Sequence, residues 1–158
     1  MDFAKLFEDD NACTGWDGGC FLFACHEENI TISGEGVIYG QGDKVFIDDD
    51  VDGGAHECPL SVTEFRPRTT FLEDVTNLTV RDITIQDAAF WTLHMAGCHH
   101  VRVQDIKILN DARGANNDGI DPDCCKDVLI TGCLVKTGDD AIVIKTTKPM
   151  TQRYGAVS

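Results

Sequence analysis

Positive charge is scarce in this chain. Its 158 residues carry 13 Lys and Arg against 27 Asp and Glu, a formal net charge of -14. Such a surface repels phosphate backbones and anionic membrane faces alike, which excludes general nucleic-acid and membrane roles. Long apolar runs are missing too: the longest are a few residues, such as 141–144, far short of the roughly 20 that span a bilayer. No basic segment followed by an apolar stretch opens the chain, so no signal peptide is readable. The protein either stays inside the cell or has its export signal on a segment outside these residues. The acid run at 48–52 lacks a calcium-loop spacing and reads, with Gly53-Gly54-Ala55, as a solvated excursion loop. No Cys-x-x-Cys pairs stand in zinc-site spacing. With 42% hydrophobic residues, a chain of this length needs no disulfide staples, so most of its eight cysteines read as reduced and structural.

What the chain does have is a repeat. Asn77-Leu-Thr-Val-Arg-Asp-Ile-Thr-Ile85, His100-Val-Arg-Val-Gln-Asp-Ile-Lys-Ile108 and Asp127-Val-Leu-Ile-Thr-Gly-Cys-Leu-Val135 share one pattern. A leading polar residue is followed by apolar residues at +1, +3, +6 and +8. The starts lie 23 and 27 residues apart, and Asn29-Ile-Thr-Ile-Ser-Gly34 begins the pattern 48 residues earlier, read as two such periods. Period-two alternation predicts two short strands joined by a tight turn. A third β-like run follows each time, at 92–95, 119–122 and 141–144. After residue 28 no ten-residue stretch has the three-and-four apolar spacing that an α/β alternation requires. Three short strands per coil describe an all-β, right-handed parallel β-helix of about five coils, whose inner faces are buried only by stacking. The domain is expected over 28–158, truncated at its C-terminal side. Residues 1–27 form an N-terminal segment with a short helix within 1–12. Stacking makes Cys133 an interior rung equivalent to Ile83 and Ile106, and sets Cys98 beside Cys125.

Two segments carry acids that a repeat alone does not require: Asn116-Asn117-Asp118-Gly119-Ile120-Asp121 and Gly138-Asp139-Asp140. Each by itself is ordinary turn chemistry. Their register is not ordinary, because aligning the third strands sets Asp118 against Asp140 in the next coil, with adjacent strands about 4.7–4.9 Å apart. Stacked acids that close cannot all ionise freely, and one of them is expected to hold its proton to high pH. The preceding coil puts Trp91 at the Asp118 position and His94 at the Asp121 position, which adds a sugar-stacking ring and a polar group to the same strip. Lys145 stands just beyond.

On these residues the chain resembles the polygalacturonase family, glycoside hydrolase family 28. Asn117-Asp118-Gly119-Ile120-Asp121 is similar to the family's Asn-Thr-Asp segment with Asn in place of Thr, and Gly138-Asp139-Asp140 matches its Gly-Asp-Asp. Gly34-Glu-Gly-Val-Ile-Tyr-Gly-Gln-Gly42, Arg66-Pro-Arg68 and Phe90-Trp91-Thr92-Leu93-His94 add to the likeness, which covers roughly residues 28–148. The resemblance implies a pectate-lyase-like solenoid that hydrolyses a pectin-type, galacturonate-containing polysaccharide with inversion. By it Asp139 is the general acid, and Asp118 and Asp140 hold the attacking water. Substrate contacts fall to Asn117, Asp121, His94, Trp91, Lys145 and Arg113, with Arg66, Arg68 and Lys148 as further cations. No metal or cofactor is implied. The partner is an acidic polysaccharide or oligosaccharide, the location extracellular, and the full-length protein a monomer. The family's Gly-His-Gly and Arg-x-Lys segments are not in the chain, so the resemblance implies a piece of a longer protein.

The residues leave two competing readings open. One is a non-catalytic carbohydrate-binding or structural β-helix. The other is a calcium-dependent polysaccharide lyase that uses the acids as calcium ligands. Asn29-Ile-Thr31 and Asn77-Leu-Thr79 match glycosylation acceptors, but both open repeat strands.

Overall fold

The computed structural model describes residues 19–47, 60–62 and 65–156. Strands β1 (Cys20–Cys25), β2 (Thr31–Ser33) and β3 (Val37–Tyr39) form the first coil. An antiparallel pair follows, β4 (Phe46–Ile47) with β5 (Ser61–Val62). Three further coils repeat the triplet: β6 (Arg68–Glu73), β7 (Thr76–Arg81) and β8 (Thr84–Gln86); β9 (Leu93–Ala96), β10 (His99–Gln104) and β11 (Lys107–Leu109); β12 (Ile120–Asp123), β13 (Lys126–Thr131) and β14 (Leu134–Lys136). Equivalent strands stack in parallel into three sheets, β1-β6-β9-β12, β2-β7-β10-β13 and β3-β8-β11-β14. This is the expected parallel β-helix, four full coils with the start of a fifth.

The polar residues that punctuate the repeat make its corners. Asn29, Asn77, His100 and Asp127 have φ values of 54 to 60°, and Asp82, Asp105 and Gly132 take the left-handed region one strand later. A residue with a Cβ enters that region at a cost that Asn and Asp bear best and that glycine avoids. The leading residues also bond from coil to coil: Asn77 Nδ2 donates to Asn29 Oδ1 at 3.1 Å, and His100 Nδ1 lies 2.5 Å from Asp127 Oδ2. The two glycosylation-like asparagines thus serve as corner rungs.

Apolar alternation fills the interior. Val101, Val103, Ile106 and Ile108 are at most 1% exposed and stack in register under Leu78, Val80, Ile83 and Ile85. Removing one such side chain from water is worth roughly 1.5–3 kcal/mol. Cys98 and Cys125 are buried neighbours in the same interior, and their thiols donate to Leu72 O at 3.2 Å and Met95 O at 3.1 Å. Cys133 does occupy the rung after Ile106, but it is only half-buried. Among the described residues no strand stacks beyond β13 and β14, so the expectation of full burial is corrected.

Other expectations need correction as well. The 48 residues between Asn29 and Asn77 are one coil and not two, because Thr31 pairs directly with Thr79 and Ile32 with Val80. The extra length is an excursion between β3 and β6 that carries β4 and β5. Strand β1 pairs with β6, so the sheets begin ahead of residue 28. The run 141–144 is not a strand: it touches β12 through one isolated bridge, Ile120–Ile142, and a second, Asp123–Lys145, follows just past it. A short helix unmarked by apolar periodicity, α1 (Lys148–Tyr154), follows it. Met150 of α1 packs on Phe71, Ala96 and Cys124 outside the first sheet, and Arg153 and Tyr154 bond to the buried carboxylate of Glu73. The helix expected within 1–12, the acid run at 48–52 and Gly53-Gly54-Ala55 lie outside the described residues.

Candidate active site

The outward face of the first sheet carries the site. Strand β12 pairs with β9 so that Asp121 lies beside His94 and Ile120 beside Leu93. Ile120 in turn faces Ile142. This is the register expected from the sequence: Trp91, Asp118 and Asp140 are successive positions in one row, and Thr92 N donates to Asp118 O while Gly119 N donates to Asp140 O, both at 2.9 Å. The glycine in each acid motif is required by close backbone approach. A Cβ on Gly119 would stand 2.4 Å from Ala141 O, and one on Gly138 would stand 2.4 Å from Gly114 O.

Lys145 is the centre of the floor. Its Nζ lies 2.7 Å from Asp118 Oδ2, 3.3 Å from Asp121 Oδ1 and 4.2 Å from the Trp91 ring centroid. Burial works against its charge, but the bond to Asp118 and the charge of Asp121 outweigh that and raise its pKa. Arg68 contacts the same indole, its guanidinium carbon 5.0 Å from the ring. Trp91 stacks on Phe90 at 5.1 Å and meets His94 edge-on at 4.8 Å. Cations over aromatic faces are favourable, more so where water is partly excluded.

The buried groups beneath are strongly perturbed. Asp121 is fully buried, and burial together with the charge of Asp118 pushes its carboxyl up to about 8, with Lys145 opposing. His94 is also buried. Loss of solvation, opposed in part by Asp123 at 3.5 Å, lowers its pKa to about 4 and leaves it neutral at physiological pH. Burial raises Asp123, but His94 and two donors of Thr147, at 2.9 and 2.6 Å, more than offset it and hold the carboxyl below its usual range.

Asp139 and Asp140 are different: both are exposed on the rim. Asp139 Oδ2 accepts from Asn116 N at 3.2 Å and Asn116 Nδ2 at 3.4 Å, and its Oδ1 accepts from Asp140 N at 3.0 Å. Asn117 does not face a ligand. It is fully buried, with Nδ2 donating to Asp111 O and Oδ1 accepting from Gly138 N at 2.7 Å. Arg113 lies over Asp111 at 3.9 Å. Lys148 begins α1, and Arg66 is directed at Ala115 O and Asn116 Oδ1.

One residue that the sequence reading missed is Asn110. Its side chain accepts from Ala88 N and donates to Thr92 Oγ1 and Asn117 O at 2.8 and 2.9 Å, tying three coils together behind the acids. A polar residue just past the end of β11 was the only signal. Among the described residues no three His, Cys, Asp or Glu side chains converge as metal ligands, and no helix is long and apolar enough to cross a membrane.

Comparison with known proteins agrees with this architecture. The family profile described as glycosyl hydrolases family 28 matches residues 12–153. A probable polygalacturonase of Vitis vinifera is 29% identical over 119 residues, which cover 75% of this chain and 21% of that protein. An exopolygalacturonase of Oenothera organensis is 31% identical over 113 residues, 72% of this chain and 30% of that one. Among solved structures, a hyperthermoactive exopolygalacturonase from Thermotoga maritima superposes with a TM-score of 0.63 at 24% identity, over 83% of this chain and 36% of that one. The chain therefore spans under a third of the length of the Vitis and Oenothera relatives.

Proposed function

The chain belongs to the glycosyl hydrolases family 28, and from that premise we propose that it supplies the acid cluster of an inverting hydrolase of galacturonate-containing polysaccharide. The observation that carries the reading is the stacking of the two acid motifs one coil apart beside Trp91 and Lys145. Inversion needs a proton donor on the leaving oxygen and a carboxylate that activates water on the opposite face, with carboxyls roughly 6.5–9.5 Å apart. Asp139, solvent-facing and steadied by Asn116, is the donor. Asp118 and Asp140, neighbours in one row, hold the water. Trp91 offers a ring face to the sugar, and Lys145 with Arg68 supplies positive charge to a uronate on an otherwise acidic protein. The substrate is an acidic polysaccharide met outside the cell, and the enzyme is a monomer whose remaining coils lie beyond this piece.

The test uses a protein carrying these coils and polygalacturonate, with reducing ends followed chemically and the anomer of the first product by NMR. Asp139→Asn should lower turnover by roughly 10²–10⁴-fold, the range of general acid catalysis, and partly spare a substrate with an activated leaving group. Asp118→Asn and Asp140→Asn should slow both substrates alike. Equal loss on both substrates in Asp139→Asn rejects its role, and a retained anomer rejects the inverting reading.

A further inference from the structure

The floor holds two carboxyl groups and one ammonium. Asp118 and Asp121 are 3% and 0% exposed, and Lys145 is the cation that reaches both. Two ionised carboxylates sharing one cation out of water leave a net buried charge, which is costly unless a proton removes it. The hydrogen bonding makes the same point independently. Asp118 Oδ1 and both oxygens of Asp121 are buried acceptors with no donor. The Lys145 contact to Asp121 at 3.3 Å is an ion-pair approach and not an aligned bond. Lys145 Nζ, 2.7 Å from Asp118 Oδ2 and 3.3 Å from Asp121 Oδ1, gathers the two carboxyls around one ammonium. One proton on Asp121 converts an acceptor into a donor available to Asp118, and leaves Lys145 paired with Asp118 through Oδ2.

We propose that Asp121 is a positioning residue that works in its protonated form, donating to Asp118 so that Asp118 stays a fixed, singly paired carboxylate and Lys145 stays available to an anionic sugar over Trp91. Asp121 does not touch substrate itself, being wholly enclosed. Asp118 and Lys145 act on it directly, His94 pairs with it from β9, Asp123 lies two residues along its own strand, and Arg68 from β6 acts on His94. His94 is neutral and Asp123 is held by Thr147, so the proton on Asp121 decides the charge balance of the floor. When it leaves, a second carboxylate competes for Lys145 directly under the ring face. The carboxyl pushed up to about 8 agrees with this geometry. The consequence for ligand binding rests on the galacturonate reading above.

Two measurements on the 158-residue chain test it. Carbon-13 carboxyl NMR should find one aspartate that titrates near pH 8 and is absent from Asp121→Asn; titration of Asp121 in the ordinary carboxylate range overturns the proposal. Affinity for trigalacturonate should fall roughly tenfold as pH rises through about 8. Asp121→Asn, whose amide still donates to Asp118, should keep the low-pH affinity throughout. Asp121→Leu, which lacks the donor, should bind weakly at every pH. The same pH-dependent fall in Asp121→Asn overturns the proposal. Failure of the wild-type chain to bind trigalacturonate at any pH counts against the substrate reading, and the carboxyl titration then decides the protonation claim alone.

Discussion

Asp118 and Asp140 are the same residue at equivalent positions one coil apart, yet one lies in a buried floor and the other on an exposed rim. The difference comes from what stacks above and beside each. Asp118 is buried, with Lys145 bonded to its carboxylate and Thr92 N to its carbonyl, whereas Asp140 follows Gly138 and is exposed. Equivalence in a repeat fixes where a backbone runs, and the neighbours then decide how a side chain ionises and how much stability depends on it.

The largest effect should come from removing the cation of the floor. Breaking a buried pair by deleting one partner costs about 3–5 kcal/mol, so Lys145→Met should lose that order of stability in urea unfolding. The loss should shrink at acid pH, where the stranded carboxyls take up protons. A loss under about 1 kcal/mol, the range of exposed pairs, would show that the floor is wetter than its burial indicates.

Next in size is the pH dependence of the two perturbed groups. His94 has a folded-state pKa lowered from 6.5 to about 4, so the folded form binds fewer protons than the unfolded one in that window. Stability is then lost as pH falls from 6.5 towards 4, by about 3 kcal/mol at most. Asp121 has the opposite sign: its pKa is raised from 3.8 to about 8, so stability falls as pH rises between those values. The two slopes oppose each other below 6.5, and only the Asp121 loss remains from there to 8. Asp121→Asn should abolish the fall between pH 6.5 and 8 while leaving the acid limb of His94 intact, as measured by unfolding at stepped pH.

The rim should respond least. Asp139→Asn and Asp140→Asn change exposed carboxylates and should shift unfolding stability by no more than about 0.5 kcal/mol, whatever they do to turnover. A shift of 2 kcal/mol would place them in the floor. The same contrast runs through the thiols: Cys133, half-buried on the last full coil, should be modified by a thiol reagent before Cys98 or Cys125, which are buried. Equal protection of all three would mean that the last coil is covered in solution.

The repeat was legible because a parallel coil requires apolar residues at every second position and tolerant residues at its left-handed corners. Both are local demands, met visibly by Asn77, His100 and Asp127 and the apolar residues that follow them. Register followed from that, which is why the row of Trp91, Asp118 and Asp140 and the pairing of His94 with Asp121 could be read from spacing.

The sequence by itself thus determined the solenoid, its direction of stacking and the neighbourhood of the acids, since strand period and coil length are properties of a short stretch of chain. Only the tertiary structure decided that the 48 residues from Asn29 form one coil, because an excursion that returns to register leaves the flanking patterns unchanged. It also decided that Asn117 turns inward to hold Gly138, that α1 lies across the first sheet, and that Lys145 serves two acids at once. Those outcomes depend on contacts between side chains distant in sequence, and on how completely water is excluded around them. No window of residues contains that information.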